Sequence, residues 1–159
     1  MSQELERVRS YIAERGIASD IVTFDESTES SELAAEALGC SVAEIAKSVV
    51  FTGSQTYIVV ISGDMRVSTS KLSSGLGSQV RLAPRNEVRE LTGYAAGGVP
   101  PFPHKAGVRT LIDTSLKRFE HVWTAGGETN AVFRIPVMKL IEISGGTEVD
   151  VAEQSVEKK

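Results

Sequence analysis

Cysteine is almost absent: Cys40 stands alone in a chain of 159 residues. No intramolecular disulfide can form, so the fold does not depend on oxidation. Long apolar runs are missing too. The longest, such as Tyr57 to Ile61, fall far short of the ~20 residues that span a bilayer. The first ten residues, MSQELERVRS, are polar and charged, unlike a secretory leader, and the expected compartment is the cytoplasm. Histidine occurs only at 104 and 121, with no Cys/His/Asp cluster at ligand spacing. Neither a metal site nor a cofactor is therefore expected. The patterns G-x-x-x-x-G-K-[ST], G-x-G-x-x-G, H-E-x-x-H and G-x-S-x-G are all missing, which argues against the common nucleotide, zinc and serine-hydrolase classes. No internal repeat and no Pro/Gly/Ser-rich linker divides the chain.

What is present fits one globular domain. The hydrophobic fraction is 41% and the charged fraction 24%, both near globular averages. A domain of this length buries roughly 70% of its unfolded surface and can hold a core without staples. The net charge of −4 is unevenly spread. Residues 1–46 carry three basic and ten acidic side chains, whereas residues 47–118 carry ten basic and four acidic ones. A basic middle segment can meet a phosphate backbone; it can equally be the solvated face of ordinary elements.

Periodicity predicts an amphipathic helix over 3–15, with Leu5, Val8, Tyr11 and Ile12 on one face and Gly16 as its stop. A short strand is expected at 21–24, then a helix over about 32–38 capped by Ser30 or Ser31 and ended by Gly39. A helical turn at 42–46 leads into a strand at 47–51, a hairpin turn at 52–55 and a return strand at 56–61. A helix follows at 68–75, a strand at 79–82 and a helix from Pro84 to about Leu91. Strands are expected near 108–112, 120–123 and 130–134, with a last helix at 136–142. Residues 1–150 form the domain, and 151–159 read as a frayed tail. Helices and strands mix without strict alternation. The expected class is therefore α/β of the α+β type, one domain with a mixed sheet flanked by helices.

The stretch Gly97-Gly98-Val99-Pro100-Pro101-Phe102-Pro103-His104 is the most informative. Prolines restrict φ and the residue before them, while glycines permit close approach. Gly97, Gly98 and Val99 keep N–H donors; the prolines have none. A rigid loop with aimed amides suits an ester carbonyl or a developing oxyanion, where one donor is worth about 3–4 kcal/mol. The same composition also suits a stiff structural turn. Lys47, at the start of AKSVVF, can snorkel to water or reach into a cleft to hold a phosphate or hydroxyl. Arg66 and Lys71 are candidate phosphate contacts or parts of a surface turn. His104 borders the proline loop and either brackets it or bonds a substrate. Gly126 and Gly127 form a pocket wall or a hairpin turn. Cys40 follows a C-cap glycine with no evident base, a poor setting for a nucleophile.

Three segments together carry a resemblance. IAKSVVF (45–51), SGDMRVSTSKL (62–72) and TGYAAGGVPPFPH (92–104) stand in the order and spacing of the YbaK-type family, the prolyl-tRNA synthetase associated (editing) domain. The likeness extends over about residues 20–147. It implies one domain with a curved mixed sheet, and hydrolysis of misacylated tRNA, most often tRNA with proline's anticodon and a wrong amino acid. The family's G-x-x-x-P loop falls on Gly97 to Pro101, including Pro100, and its lysine on Lys47. Ser48 falls where relatives often have a small hydroxyl or amide residue. The implied mechanism has no side-chain nucleophile: loop amides orient the ester carbonyl, Lys47 holds the terminal adenosine, and water attacks with help from the substrate's 2′-hydroxyl. Two departures stand out. Pro103 replaces a common glycine, and Val132 stands where cysteine-releasing members are acidic. Phe24, Phe51 and Val132 would line an apolar pocket for alanine, serine, threonine or cysteine. The implied partners are the acceptor end of tRNA and an aminoacyl-tRNA synthetase. The rival readings are a non-catalytic binding module for aminoacyl-adenosine and a protein-interaction domain that kept the fold.

Overall fold

The computed structural model describes residues 2–154. Helix α1 (Gln3–Glu14) starts where Ser2 Oγ accepts the Leu5 N–H at 3.1 Å. Its buried stripe is Leu5, Val8 and Ile12, as the period predicts. Each such side chain contributes ~1.5–3 kcal/mol on burial. β1 (Val22–Thr23) is followed by α2 (Ser31–Leu38), capped by Ser30 and closed by Gly39 at φ 71°. The expected turn at 42–46 ends at Glu44, because Ile45 already enters β2 (Ile45–Thr52). β3 (Thr56–Ser62) returns antiparallel, and β4 (Met65–Val67) and α3 (Thr69–Leu76) follow. β5 (Arg81–Leu82) precedes a 3₁₀ turn (Arg85–Glu87) and a short α4 (Val88–Thr92), in place of the single helix expected from Pro84. β6 (Val108–Asp113), β7 (His121–Ala125), β8 (Ala131–Pro136), α5 (Val137–Ile143), β9 (Glu148–Val149) and β10 (Ala152–Gln154) complete the chain.

The main sheet runs β1-β8-β7-β2-β3-β6-β9, with β5 added to β2, and it is mixed as expected. β2 pairs parallel with β7, and β3 parallel with β6; the hairpins are antiparallel. β3 is covered on both faces. Ile58 and Val60 point into the main core with Leu5, Val8, Phe133 and Leu140, while Tyr57, Val59 and Ile61 meet Leu72 and Val151 in a second cluster. Ala34 and Ala35 of α2 close over Ile45.

The expected tail is different. Val151 is buried, and Ala152–Gln154 pair antiparallel with Met65–Val67. The buried carboxylate of Asp113 accepts the Val151 N–H at 2.8 Å, and Lys71 Nζ donates to the Ala152 carbonyl at 3.0 Å. The part of the predicted tail at 155–159 lies outside the described residues.

Candidate active site

β2 has a gap on one edge. There it pairs with β7 only through Ile45 and Ala46, and with β5 only from Phe51 onward. Residues of an antiparallel pair alternate between facing the partner and facing away. The Ile45 carbonyl accepts from Gly63 on the β3 side, and the Val50 carbonyl accepts from Ala83 on the other. Ser48 therefore turns its N–H and C=O away from β3, into the gap. Continuation of the register would set Ser48 opposite Gly126 and its carbonyl on the Gly127 N–H, but the Gly127 N–H donates to the Gly98 carbonyl at 3.1 Å. A cavity of about 60 Å³ opens there, lined among others by Lys47, Ser48, Gly97, Val99, Thr124 and Val132.

The loop over this gap is held from three sides. Gly97 has φ +85°, and a Cβ on it would sit 2.5 Å from Glu29 Cβ. A Cβ on Gly98 would sit 2.9 Å from the Glu128 carbonyl carbon. His104 Nε2 lies 2.6 Å from the Pro100 carbonyl; a carbonyl only accepts, so that nitrogen carries the proton. Thr110 Oγ1 donates to the Pro101 carbonyl at 3.4 Å. Of the three amides expected to be free, Gly98's is not: it donates to the Ala95 carbonyl at 2.9 Å. The N–H groups of Gly97 and Val99 have no partner among the described residues, and both residues line the cavity. Pro100 and Pro101 are not among the residues that line the cavity; their fixed φ stiffens the loop.

Lys47 lines the cavity and also a larger groove of about 490 Å³ on the other side, with Val49, Phe51, Arg66 and Leu82. Its ammonium has no ion pair among the described residues. Burial pushes its pKa below the usual lysine range, opposed by the charges of Glu32 and Asp64. A half-buried cation without a partner, between two concavities, is placed to receive an anionic or hydroxyl-bearing ligand.

The remaining expected site residues divide. Ser48 and Val132 line the cavity; Phe51 and Arg66 line the groove; Phe24 faces a separate depression beside Ser27 and Leu33. Arg66 is ion-paired with Glu153, and Lys71 bonds the Ala152 carbonyl, so both tie down β10. His104 braces the loop. Gly126 and Gly127 form the β7–β8 turn and are packed against Ile21 and α1 rather than lining the cavity. Among the described residues no three His, Cys, Asp or Glu side chains converge as a metal site requires. Several cavity residues escaped the sequence reading, Glu29 and Thr124 among them. Glu29 sits in an irregular loop that gives no signal. Thr124 does give one: in HVWTA it takes an inward position on the alternation that also buries Val122.

Residues 25–143 match the family described as the aminoacyl-tRNA editing domain. An uncharacterised protein of Bacillus subtilis strain 168, YwhH, is 34% identical over 88% of this chain and 90% of its own length. A solved structure described as a candidate trans-editing enzyme for prolyl-tRNA synthetase superposes with a TM-score of 0.88 at 35% identity, covering 96% of this chain and 99% of that one. A protein of Enterococcus faecalis strain V583, EbsC, named as a candidate Cys-tRNA(Pro)/Cys-tRNA(Cys) deacylase, is 23% identical over 74% of this chain and 73% of its own.

Proposed function

Because this chain belongs to the aminoacyl-tRNA editing domain family, we propose that it is a deacylase: it hydrolyses the ester between a small, wrongly attached amino acid and the 3′ end of a tRNA. The observation that carries the reading is the pair of unpartnered amides, Gly97 and Val99, on a clamped loop over a small cavity. The acyl side chain enters the cavity and the ester carbonyl faces the two amides. Lys47 holds the phosphate or ribose of the terminal adenosine, which occupies the groove side. The water oxygen then bonds to the carbonyl carbon, and negative charge builds on the carbonyl oxygen beside the amides. As the carbon–O3′ bond breaks, a proton passes to O3′ by way of the neighbouring 2′-hydroxyl. Free amino acid and uncharged tRNA result. No side-chain nucleophile is needed, since fixed donors and positioning supply several kcal/mol each. Basic residues between 47 and 118 that stand outside the ion pairs, such as Arg81 and Arg109, favour the acceptor stem, so binding weakens as salt rises.

In this reading the protein acts in trans on tRNA-Pro, in the cytoplasm, alongside an aminoacyl-tRNA synthetase. The name carried by the structural neighbour supports that setting. The test is amino-acid release from tRNA charged with alanine, serine, threonine, cysteine or proline, by wild type and Lys47→Ala. Selective release of a small amino acid, reduced on the order of a hundredfold in the variant, is expected for loss of the contact that positions the ester against the loop. Survival of every charged tRNA at high enzyme concentration would leave a non-catalytic binding module in its place.

A further inference from the structure

Two hydroxyls at the cavity have no use within the fold. Ser48 Oγ and Thr124 Oγ1 are both shielded from solvent, and neither has a hydrogen-bond partner among the described residues. Both residues line the cavity of about 60 Å³. Neighbouring hydroxyls are committed: Thr28 Oγ1 donates to the Thr129 carbonyl at 3.4 Å, and Ser30 Oγ accepts the Leu33 N–H at 3.1 Å. A buried hydroxyl without a partner is disfavoured, and native interiors leave few of them. Packing does not explain the choice at 124. Thr124 is 1% exposed, on the face shared by Val122 and beside Phe133 in register, where valine would fill the same space. Ser48 adds its gap-facing main-chain N–H and C=O to the same spot.

We propose that Ser48 and Thr124 form a recess for a side-chain hydroxyl, so that the acyl group this protein selects is a β-hydroxy amino acid, serine or threonine, in preference to alanine. The inference rests on the deacylase reading above. A hydroxyl both donates and accepts, so a ligand hydroxyl seated there takes a proton from one partner and gives its own to the other. The cavity of about 60 Å³ has room for roughly four to six water-sized groups at ~10–15 Å³ each, so a branch of two or three heavy atoms enters without displacing the walls. Ala46, paired with Thr124 on the same face of the sheet, and Val99 offer an apolar wall for threonine's methyl group. A site built to bond a hydroxyl rejects the analogue without it, whereas an apolar pocket barely distinguishes the two.

The experiment uses non-hydrolysable 3′-amide-linked seryl-, threonyl- and alanyl-adenosine, titrated calorimetrically into the full chain. Release from the correspondingly charged tRNAs is measured in parallel. Seryl or threonyl compounds should bind at least tenfold more tightly than alanyl. That ratio should fall to near one in Thr124→Val and persist in Thr124→Ser, which keeps the hydroxyl. Ser48→Ala serves as a second probe should Thr124→Val lose its native melting transition. Equal binding of seryl and alanyl compounds by wild type overturns the recess, as does a ratio unmoved by both variants. Selective binding without any release would instead sink the deacylase reading and leave the recess standing.

Discussion

Replacing Gly97 with alanine tests the idea that the loop is clamped. Two independent penalties apply. Gly97 has φ +85°, and holding an L-residue in the left-handed region costs about 1–2 kcal/mol. The added Cβ would also lie 2.5 Å from Glu29 Cβ and 3.2 Å from Glu29 Cα. That contact is with a separate chain segment whose backbone must move, and such overpacking costs a further ~1–3 kcal/mol. The total is about 2–5 kcal/mol. At roughly 2–4 °C per kcal/mol for a chain of this size, Tm should fall by about 4–20 °C. Gly16→Ala isolates the first penalty: its φ is +70°, and nothing lies within 4 Å of a Cβ there. The assay is thermal and urea denaturation of wild type and both variants by circular dichroism, with amino-acid release measured below the transition. Gly97→Ala should also lose about a hundredfold in rate, because a displacement near 1 Å of a positioning group costs that much. If Gly97→Ala proves no less stable than Gly16→Ala, the Glu29 contact does not clamp the loop and the reasoning fails.

Asp113→Ala removes the acceptor for the Ser115 and Val151 N–H groups. A loss of about 2–4 kcal/mol is expected, with proteolysis beginning at the C-terminal strand; an unchanged urea midpoint would contradict this. Thr92→Val leaves the buried Tyr94 N–H without the acceptor it has at 3.1 Å. It should lower stability by about 1–3 kcal/mol although volume is conserved. Burial holds the His104 imidazole below the usual histidine range, against the opposing pull of its bond to Pro100. Between that lowered value and the unfolded value of ~6.5, the unfolded chain binds a proton that the folded one refuses. Stability from this residue is thus lost as pH falls through the window. The difference in stability between wild type and His104→Gln should shrink on acidification, and a pH-independent difference would count against it.

Much of the fold could be read from repeating patterns. The first helix was visible because Leu5, Val8 and Ile12 recur at helical spacing, and the hairpin of β2 and β3 because two apolar runs flank Gly53-Ser54. β4, β9 and β10 were not, since two or three residues carry no period. Their order comes from partners distant in sequence, such as Asp113 for Val151 and Arg66 for Glu153. At the site, the glycine–proline loop and Lys47 stood out by composition. That Gly98 would use its own amide in a turn did not, because it depends on where Ala95 points. Arg66 and Lys71 read as candidate phosphate contacts or parts of a surface turn, and the return of the chain as β10 engages them both. The cavity itself was invisible, as it arises where two parallel strands from opposite halves of the chain stop pairing.

That interruption has a consequence for exchange with heavy water. Along β2, the amides facing β3 and those bonded to β7 or β5 should be slow to take up deuterium, as core strands are. Two amides are exceptions among the described residues: those of Ser48 and Val50 sit in the middle of a protected strand with no ladder partner, and of the two only Ser48 lines the cavity. The Ser48 amide should therefore exchange early, and it alone of the two should slow down when an acyl group fills the space beside it. The break that makes room for a ligand also leaves one backbone position in the sheet where occupancy can be followed amide by amide, without a label and without turnover.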